Sequence, residues 1–177
     1  MIDGRSRRER HGSVYAIQQE TRLPERPDSP GVHIPPPFFY VAATGGGALL
    51  RRYVPLPIGG GAPRVAAAWI CVALFAGLLA WSLMWFARQK TTIIPDRPAN
   101  ALVLDGPFRF TRNPLYLAMA LLTVGAGLWL NTWWVFILLL PAVALVDRFV
   151  IAREEAYLRR RFGAEYEAYM ARVRRWL

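Results

Sequence analysis

Four apolar stretches dominate the chain, at about residues 37–54, 65–86, 114–130 and 133–151, and short polar segments separate them. The second is nearly uncharged and as long as the ~20 residues that a helix needs to cross a bilayer. Tryptophans lie near both of its ends, as is typical of membrane interfaces. The pattern predicts an all-α integral membrane protein with about four transmembrane helices, a C-terminal helical hairpin and a cytoplasmic amphipathic helix.

The first stretch is the weakest, because its strictly apolar part runs only from Phe38 to Leu50 and contains three consecutive glycines. Arginines that follow it can reach the interface with their side chains, which lengthens the stretch enough to cross. The glycine triplets at 45–47 and 59–61 lack the strand and helix context of a phosphate loop. They predict flexibility or close helix packing.

The last two stretches are joined at Asn131-Thr132, which is too short a link for anything but a helical hairpin. Pro141 is expected to kink the second helix of this pair. Such a kink either makes room for a ligand or is a tolerated irregularity of packing.

Orientation follows from the basic residues. With four spans and both termini in the cytoplasm, all of the 22 lysines and arginines except Arg51, Arg52 and Arg64 lie inside, as the positive-inside rule requires. Residues 1–36, rich in arginine and proline, are expected to be a disordered tail, and residues 37–177 a single domain.

The formal net charge of +10 also fits a basic soluble protein that binds nucleic acid. That alternative is poor, because long apolar runs alternate here with short basic ones. We expect no nucleic-acid partner. Cys71 lies inside the second stretch, where a buried apolar role is favoured over a reactive thiol.

Polar residues crowd the start of the third stretch. Asn113-Pro114 has the form of a helix start, with asparagine as N-cap and proline at the first helical position. The positive end of that helix would favour a carboxylate or phosphate. An ordinary capped membrane helix explains these two residues equally well, but it does not explain Arg109, Arg112 and Tyr116 at the same place.

The C-terminal part predicts an amphipathic helix over about 153–176, divided at Gly163. Its apolar positions recur every three or four residues, at Leu158, Phe162, Tyr166, Tyr169, Val173 and Trp176. We expect this helix to lie on the cytoplasmic leaflet with its arginines toward anionic lipid.

Carboxylates lie where the fourth stretch leaves the bilayer. One of Glu154 and Glu155 is expected to face a pocket. Asp147 is expected to form a local ion pair with Arg148 or Arg153.

Together these residues form two linked motifs. They are Leu102-Val103, Gly106-Pro107-Phe108 and Arg112-Asn113-Pro114-Leu115-Tyr116, then, after an apolar hairpin, Glu154-Glu155, Leu158, Phe162-Gly163, Tyr166, Tyr169 and Val173. The pattern resembles the isoprenylcysteine carboxyl methyltransferase family and is similar to the related phospholipid methyltransferases. The resemblance covers roughly residues 95–177. It implies a bacterial-type member, placed in the bacterial inner membrane.

The resemblance implies that the C-terminal half wraps S-adenosylmethionine on the cytoplasmic side and that the acceptor enters from the bilayer. The cofactor-binding residues that it implies are Asn100, Ala101, Leu102, Val103, Phe108, Asn113, Pro114, Leu115, Tyr116 and Glu154. Asn100 and Asn113 stand where eukaryotic members have histidine, and Phe108 where they have tyrosine. An arginine that binds the prenylcysteine carboxylate falls at Val150 here, which leaves Arg148 or Arg153 as substrate-binding candidates.

Methyl transfer from a sulfonium depends mainly on positioning and on a dry site. An amine or thiol acceptor also needs a proton acceptor, for which Glu154, Glu155 and Tyr116 are the candidates. The expected catalytic residues are Glu154, Tyr116 and Arg112. We expect Asn113 to face the cofactor's carboxylate and Glu154 its amino group or ribose. Phe108 and Tyr116 would face the sulfonium. The acceptor stays open among an isoprenylcysteine carboxylate, a phospholipid amine and a thiol, and no metal site is expected.

Two other classes of membrane protein are alternatives to a methyltransferase. A membrane reductase related to the sterol reductases would bind NADPH, with Arg109 and Arg112 at the adenosine phosphate. A non-catalytic membrane protein would use the same polar residues only for topology and packing.

Overall fold

The computed structural model describes residues 34–89 and 101–177. Within these ranges the chain is helical and contains no strand. The elements are α1 (Pro37–Tyr53), α2 (Gly61–Arg88), a 3-10 helix (Gly106–Arg109), α3 (Pro114–Trp129), α4 (Trp134–Leu145), a π-helix (Val146–Ile151), α5 (Ala152–Phe162) and α6 (Ala164–Arg172). The predicted tail lies outside the described residues, apart from its last three.

The apolar stretches are helices with close to the predicted bounds, although α2 is longer than expected. Two helices are long and apolar enough to cross a membrane: α2, with 28 residues, and the continuous helix Trp134–Phe162, with 29. Only 6% of the most apolar window of α2 is buried inside the protein, so most of its apolar surface faces outward. This indicates a membrane protein. The number of spans stays a prediction, because α1 has 17 residues and α3 has 16.

Glycines let the helices approach closely at two crossings. A Cβ at Gly47 of α1 would lie 2.7 Å from the backbone nitrogen of Val135 in α4. A Cβ at Gly125 of α3 would lie 3.2 Å from the carbonyl oxygen of Ala68 in α2 and from Cβ of Cys71. Small residues at such crossings let the backbones of the two helices pack directly against each other. Of the two expectations for the triplet at 45–47, close packing therefore applies to Gly47.

The turn between α3 and α4, residues 130–133, is tied to the loop between α1 and α2. Asn131 has a positive φ of 51°, and its Oδ1 accepts hydrogen bonds from the backbone N–H groups of Ile58 and Gly59, both at 3.0 Å. The indole N–H of Trp134 donates to the carbonyl oxygen of Val54 at 2.7 Å. Arg64 donates to the terminal carbonyl groups of α3 at Leu128 and Trp129. This region is called the turn end below.

The helix that contains the fourth apolar stretch does not end near residue 151, as the sequence predicted, but continues to Phe162. Pro141 lies inside α4, and the helix passes through the π-helical segment Val146–Ile151 directly into α5. A π-helix adds residues to a turn, so it shifts which side chains face the protein downstream. Sequence periodicity carries no signal for this insertion.

The prediction that the amphipathic region stays helical to residue 176 is wrong. Gly163, at φ 52°, separates α5 from α6 as expected, but α6 ends at Arg172 and Val173 is extended. The apolar face of α6 packs inside the protein, where Tyr166 and Tyr169 contact Val103 and Phe108. The position of this region on the cytoplasmic leaflet stays a prediction.

Candidate functional site

The start of α3 and the start of α5 meet, although 38 residues separate them in sequence. The hydroxyl group of Tyr116 donates a hydrogen bond of 2.6 Å to Oε1 of Glu154. Tyr116 is only 7% exposed, so this contact lies inside the protein. A short bond between a phenol and a carboxylate is charge-assisted and fixes both side chains.

The neighbouring Glu155 has a different environment. It is 5% exposed, and both of its oxygens are used. Arg112 reaches Oε1 at 2.9 Å, Arg175 donates to the same atom from Nε at 3.1 Å, and a second nitrogen of Arg175 reaches Oε2. Glu155 therefore balances two arginines and has no oxygen left for a ligand.

Arg175 also forms an ion pair of 2.9 Å with Asp147 in the π-helix. Asp147 thus has an ion-pair partner 28 positions away, which the sequence did not predict. Trp176 donates its indole N–H to the other carboxylate oxygen of Asp147 at 3.0 Å. Hydrogen bonding to Glu155 raises the pKa of the Arg175 guanidinium, which keeps it charged.

The chain before α3 is held by the C-terminal segment. Residues 173–176 are called the C-terminal strap. The backbone N–H of Arg112 donates to the carbonyl oxygen of Arg174 at 3.0 Å. The carbonyl oxygen of Arg175 accepts from the Thr111 hydroxyl at 3.1 Å and from the Asn113 side-chain amide at 2.9 Å.

This geometry corrects the predicted helix cap. Pro114 is at the first position of α3 as expected, but Asn113 forms no side-chain cap. Its amide group instead binds the strap, and the Asn113 backbone N–H donates to the Thr111 hydroxyl at 3.2 Å. Asn113 is 8% exposed, so its side chain is a structural link rather than an open N-cap. Leu115, the next predicted site residue, is half-buried.

A second cluster, aromatic in character, lies beside this network. Val103 and Phe108 are buried with Tyr166 and Tyr169, and Leu102 packs against them. The Tyr169 hydroxyl donates to the carbonyl oxygen of Phe108 at 2.7 Å. Burial raises the pKa of Tyr166 to about 12 and also raises the pKa of Tyr169 above its ordinary value, so both phenols stay protonated.

The other positions that the sequence singled out differ in burial. Ala101 is half-buried, and Asn100 falls outside the described residues. Val150 is 2% exposed and packs in the cluster that contains Tyr116. Arg148 and Arg153 are exposed on the outer surface, away from that buried position.

Sequence reasoning missed two contributors to this region. Tyr40 of α1 is 4% exposed and packs in the same cluster as Tyr116, and its buried hydroxyl has no partner among the described residues. Trp176 packs against that cluster from the other end of the chain. Neither stands in a motif, so only the folded chain identifies them.

A separate cavity of about 690 Å³ opens between the end of α2 and the 3-10 helix. Its lining residues are Trp81, Trp85, Asp105, Gly106, Arg109 and Phe110. Gly106 has φ 64° and is in contact with the Trp85 ring. Arg109, a candidate for binding the adenosine phosphate of NADPH, therefore lines this cavity, whereas Arg112 is paired with Glu155.

Comparison with known proteins identifies the family to which the chain belongs. A model of the family described as phospholipid methyltransferase matches residues 63–165. An uncharacterized protein of Haemophilus influenzae is 38% identical over 63 residues, which are 36% of this chain and 100% of that relative. No solved structure matches.

The chain belongs to the phospholipid methyltransferase family. This confirms the resemblance found in the sequence, and it indicates a membrane methyltransferase in general.

Proposed function

We propose that this protein is a membrane-embedded, S-adenosylmethionine-dependent methyltransferase that acts on a lipid-like or small apolar acceptor. The hydrogen bond between Tyr116 and Glu154 is the observation that carries the proposal. It joins the two motifs within the residues that the family model matches. An internal carboxylate held by a phenol is costly in a membrane protein, which favours a functional role.

The chemistry of the side chains fits the cofactor. Nε of Arg112 is buried without a hydrogen-bond partner among the described residues, and such a donor is complete only with a bound acceptor. The carboxylate group of the cofactor is a suitable acceptor for this N–H group. Oε1 of Glu154 accepts from Tyr116, and we assign its second oxygen to an amino group or a ribose hydroxyl of the cofactor. Phe108 and Tyr166 offer aromatic surface for an adenine ring.

Each residue then has a task that needs no elaborate acid-base chemistry. S-adenosylmethionine, when bound, supplies an electrophilic methyl group. Glu154 binds and orients, Tyr116 fixes the direction of Glu154, and Arg112 provides positive charge beside it. The apolar cluster around Tyr116 excludes water, which favours displacement at a sulfonium.

Three acceptors stay under consideration: an isoprenylcysteine carboxylate, a phospholipid amine and a thiol. Substrate binding by Arg148 or Arg153 would require an acceptor that reaches the outer surface, since both side chains are exposed. Incubating membranes with cofactor carrying a labelled methyl group, followed by lipid extraction, separates lipid from small acceptors.

The proposed topology has four spans and both termini in the cytoplasm of a bacterial cell, in the inner membrane. The arginine distribution supports it. Reporter fusions at the C-terminus and in the turn at residues 130–133 test it. Activity of a cytoplasmic reporter at the turn would contradict this orientation.

The deciding experiment is calorimetric titration of the detergent-purified protein with S-adenosylhomocysteine, the stable product of the cofactor. We expect Glu154→Gln to weaken binding about tenfold or more, because it removes the charge and keeps the shape. Glu165→Gln on α6 is the matched control, since Glu165 is exposed. An unchanged affinity in Glu154→Gln would contradict the proposed role of Glu154 in cofactor binding.

Thermal-shift measurements with S-adenosylmethionine, S-adenosylhomocysteine and NADPH compare the cofactor classes directly. We expect stabilisation by the first two alone. Stabilisation by NADPH would favour a reductase, and stabilisation by none would favour a non-catalytic protein.

A further inference from the structure

The C-terminal strap lies outside residues 63–165, to which the family model extends, yet it contacts both sides of the candidate site. Its backbone accepts hydrogen bonds from Thr111, Arg112 and Asn113, just before α3. Its Arg175 side chain binds Glu155 and Asp147, on α5 and the π-helix. One short segment thus joins the two elements that supply Tyr116 and Glu154.

These contacts form a closed ring of interactions. The strap holds the chain at residues 111–113, which leads into the first turn of α3 and to Tyr116. Tyr116 binds Glu154, and the adjacent Glu155 returns to the strap through Arg175. Neighbouring residues on a helix differ in direction by a fixed angle, so holding Glu155 also sets the direction of Glu154.

Charge balance places Arg175 at the centre of this ring. Two carboxylates, Glu155 and Asp147, meet two guanidinium groups, those of Arg112 and Arg175. Of these two guanidinium groups, that of Arg175 binds both carboxylates, with separate nitrogens of one planar group. A lysine carries the same charge but cannot hold two carboxylates in this fixed fork.

We propose that Arg175 is a positioning residue of the methyltransferase site: by fixing Glu155 and the chain before α3, it sets the Tyr116–Glu154 pair in its binding geometry. The link between this pair and cofactor binding rests on the proposed function. Arg175 itself acts through other residues and does not touch the cofactor.

The first test is a double-mutant cycle on unfolding, which needs no ligand. The cost of Tyr116→Phe, measured as the shift of the denaturant midpoint, is compared in the wild type and in Arg175→Ala. If Arg175 positions Glu154 toward Tyr116, the shift falls by about half or more in Arg175→Ala, because contacts in one network are not additive. An equal shift in both backgrounds overturns the proposal and leaves the proposed function untouched.

The second test is a cycle on the affinity for S-adenosylhomocysteine. We expect Arg175→Ala to weaken binding about tenfold, and the double variant with Glu154→Gln to bind no more weakly than Glu154→Gln alone. Additive losses, or wild-type affinity in Arg175→Ala, overturn the proposal. If Glu154→Gln itself binds like the wild type, the proposed function fails, and the unfolding cycle still decides the positioning role.

Arg160→Ala is the matched control, because Arg160 is exposed on α5 and makes no ion pair with the described part of the chain. We expect it to behave like the wild type in both cycles. Where Arg175→Ala does not fold, Arg175→Lys replaces it, with an intermediate loss expected in both cycles. Wild-type behaviour of Arg175→Lys in both cycles would overturn the role given to the planar guanidinium group of Arg175.

Discussion

The two ends of the helical core are held together by different kinds of contact. At the turn end, Asn131, Trp134 and Arg64 bind backbone groups, so no carboxylate takes part in these contacts. At the opposite end, called the carboxylate end, Asp147, Glu154 and Glu155 are held by arginines and a phenol. Both ends join distant parts of the chain, but only the second concentrates charge.

This difference separates a structural task from a functional one. Hydrogen bonds to the backbone are sufficient to close loops, and the turn end does this with one asparagine, one indole and one guanidinium group. Burying carboxylates is costly, and it is not needed to hold helices together. Under the proposed function, the carboxylate end carries this charge to bind the cofactor, and it lies among the motifs of a methyltransferase family.

The largest effect should come from the most buried charge. We expect Glu155→Ala to lower the free energy of unfolding by about 3–5 kcal/mol, because it leaves Arg112 and Arg175 without their shared partner. Denaturant titration in detergent, followed by tryptophan fluorescence, measures this. Glu167→Ala, at an exposed site on α6, is the control. A loss as small as that of an exposed pair would contradict the assigned role of the ion-pair network.

A smaller loss should follow from removing one hydroxyl at the same end. Tyr116→Phe is expected to cost about 1.5–3 kcal/mol of unfolding free energy, since its hydrogen bond goes to a charged group. Tyr169→Phe removes a hydroxyl that binds a neutral carbonyl group and should cost about 1 kcal/mol. Equal losses in the two variants would show that the charge of Glu154 adds nothing to the contact.

A packing variant between the ends tests whether the helices themselves depend on close approach. Gly47→Ala would bring a methyl group against Val135, and we expect a loss of about 1.5 kcal/mol from overpacking. Gly45→Ala is the matched control, because a Cβ there meets nothing within 4 Å. It should be neutral or stabilising, since alanine favours a helix. Similar losses in both variants would contradict the α1–α4 crossing.

The smallest effect is expected at the turn end. Asn131→Ala removes the acceptor for two backbone N–H groups and places alanine at a positive φ, which should cost about 1 kcal/mol. The affinity for S-adenosylhomocysteine, measured by calorimetry, should not change. A weaker affinity would show that the two ends are coupled and would remove the distinction between them.

Much of the fold could be predicted from the sequence, because apolar runs and glycine or proline breaks are local signals. The bounds of α1 and α3 and the break at Gly163 follow from them. The π-helix could not be predicted, since it depends on which downstream side chains must face the protein. The end of α6 could not be predicted either, because carbonyl groups beyond Arg172 bind a loop some sixty residues away.

The candidate site divides in the same way. The resemblance to a methyltransferase family was enough to select Tyr116 and Glu154, which the structure joins. The capping role expected of Asn113 was wrong, because a capping motif is read from neighbours in sequence while the strap competes for the same amide group. Arg175 was assigned to the lipid surface with the other arginines, since composition does not distinguish one arginine in a cluster from the next.

By itself, the sequence determined the helical character of the chain, its apolar segments and its family, because these depend on local composition and on motifs at fixed spacing. The tertiary structure decided which of two adjacent glutamates pairs with arginines and which arginine joins Glu155 to Asp147. Charged side chains in a low-dielectric interior must find partners, and those partners came from the π-helix, the loop before α3 and the C-terminal strap. Such pairing across long sequence distances exists only after the chain has folded.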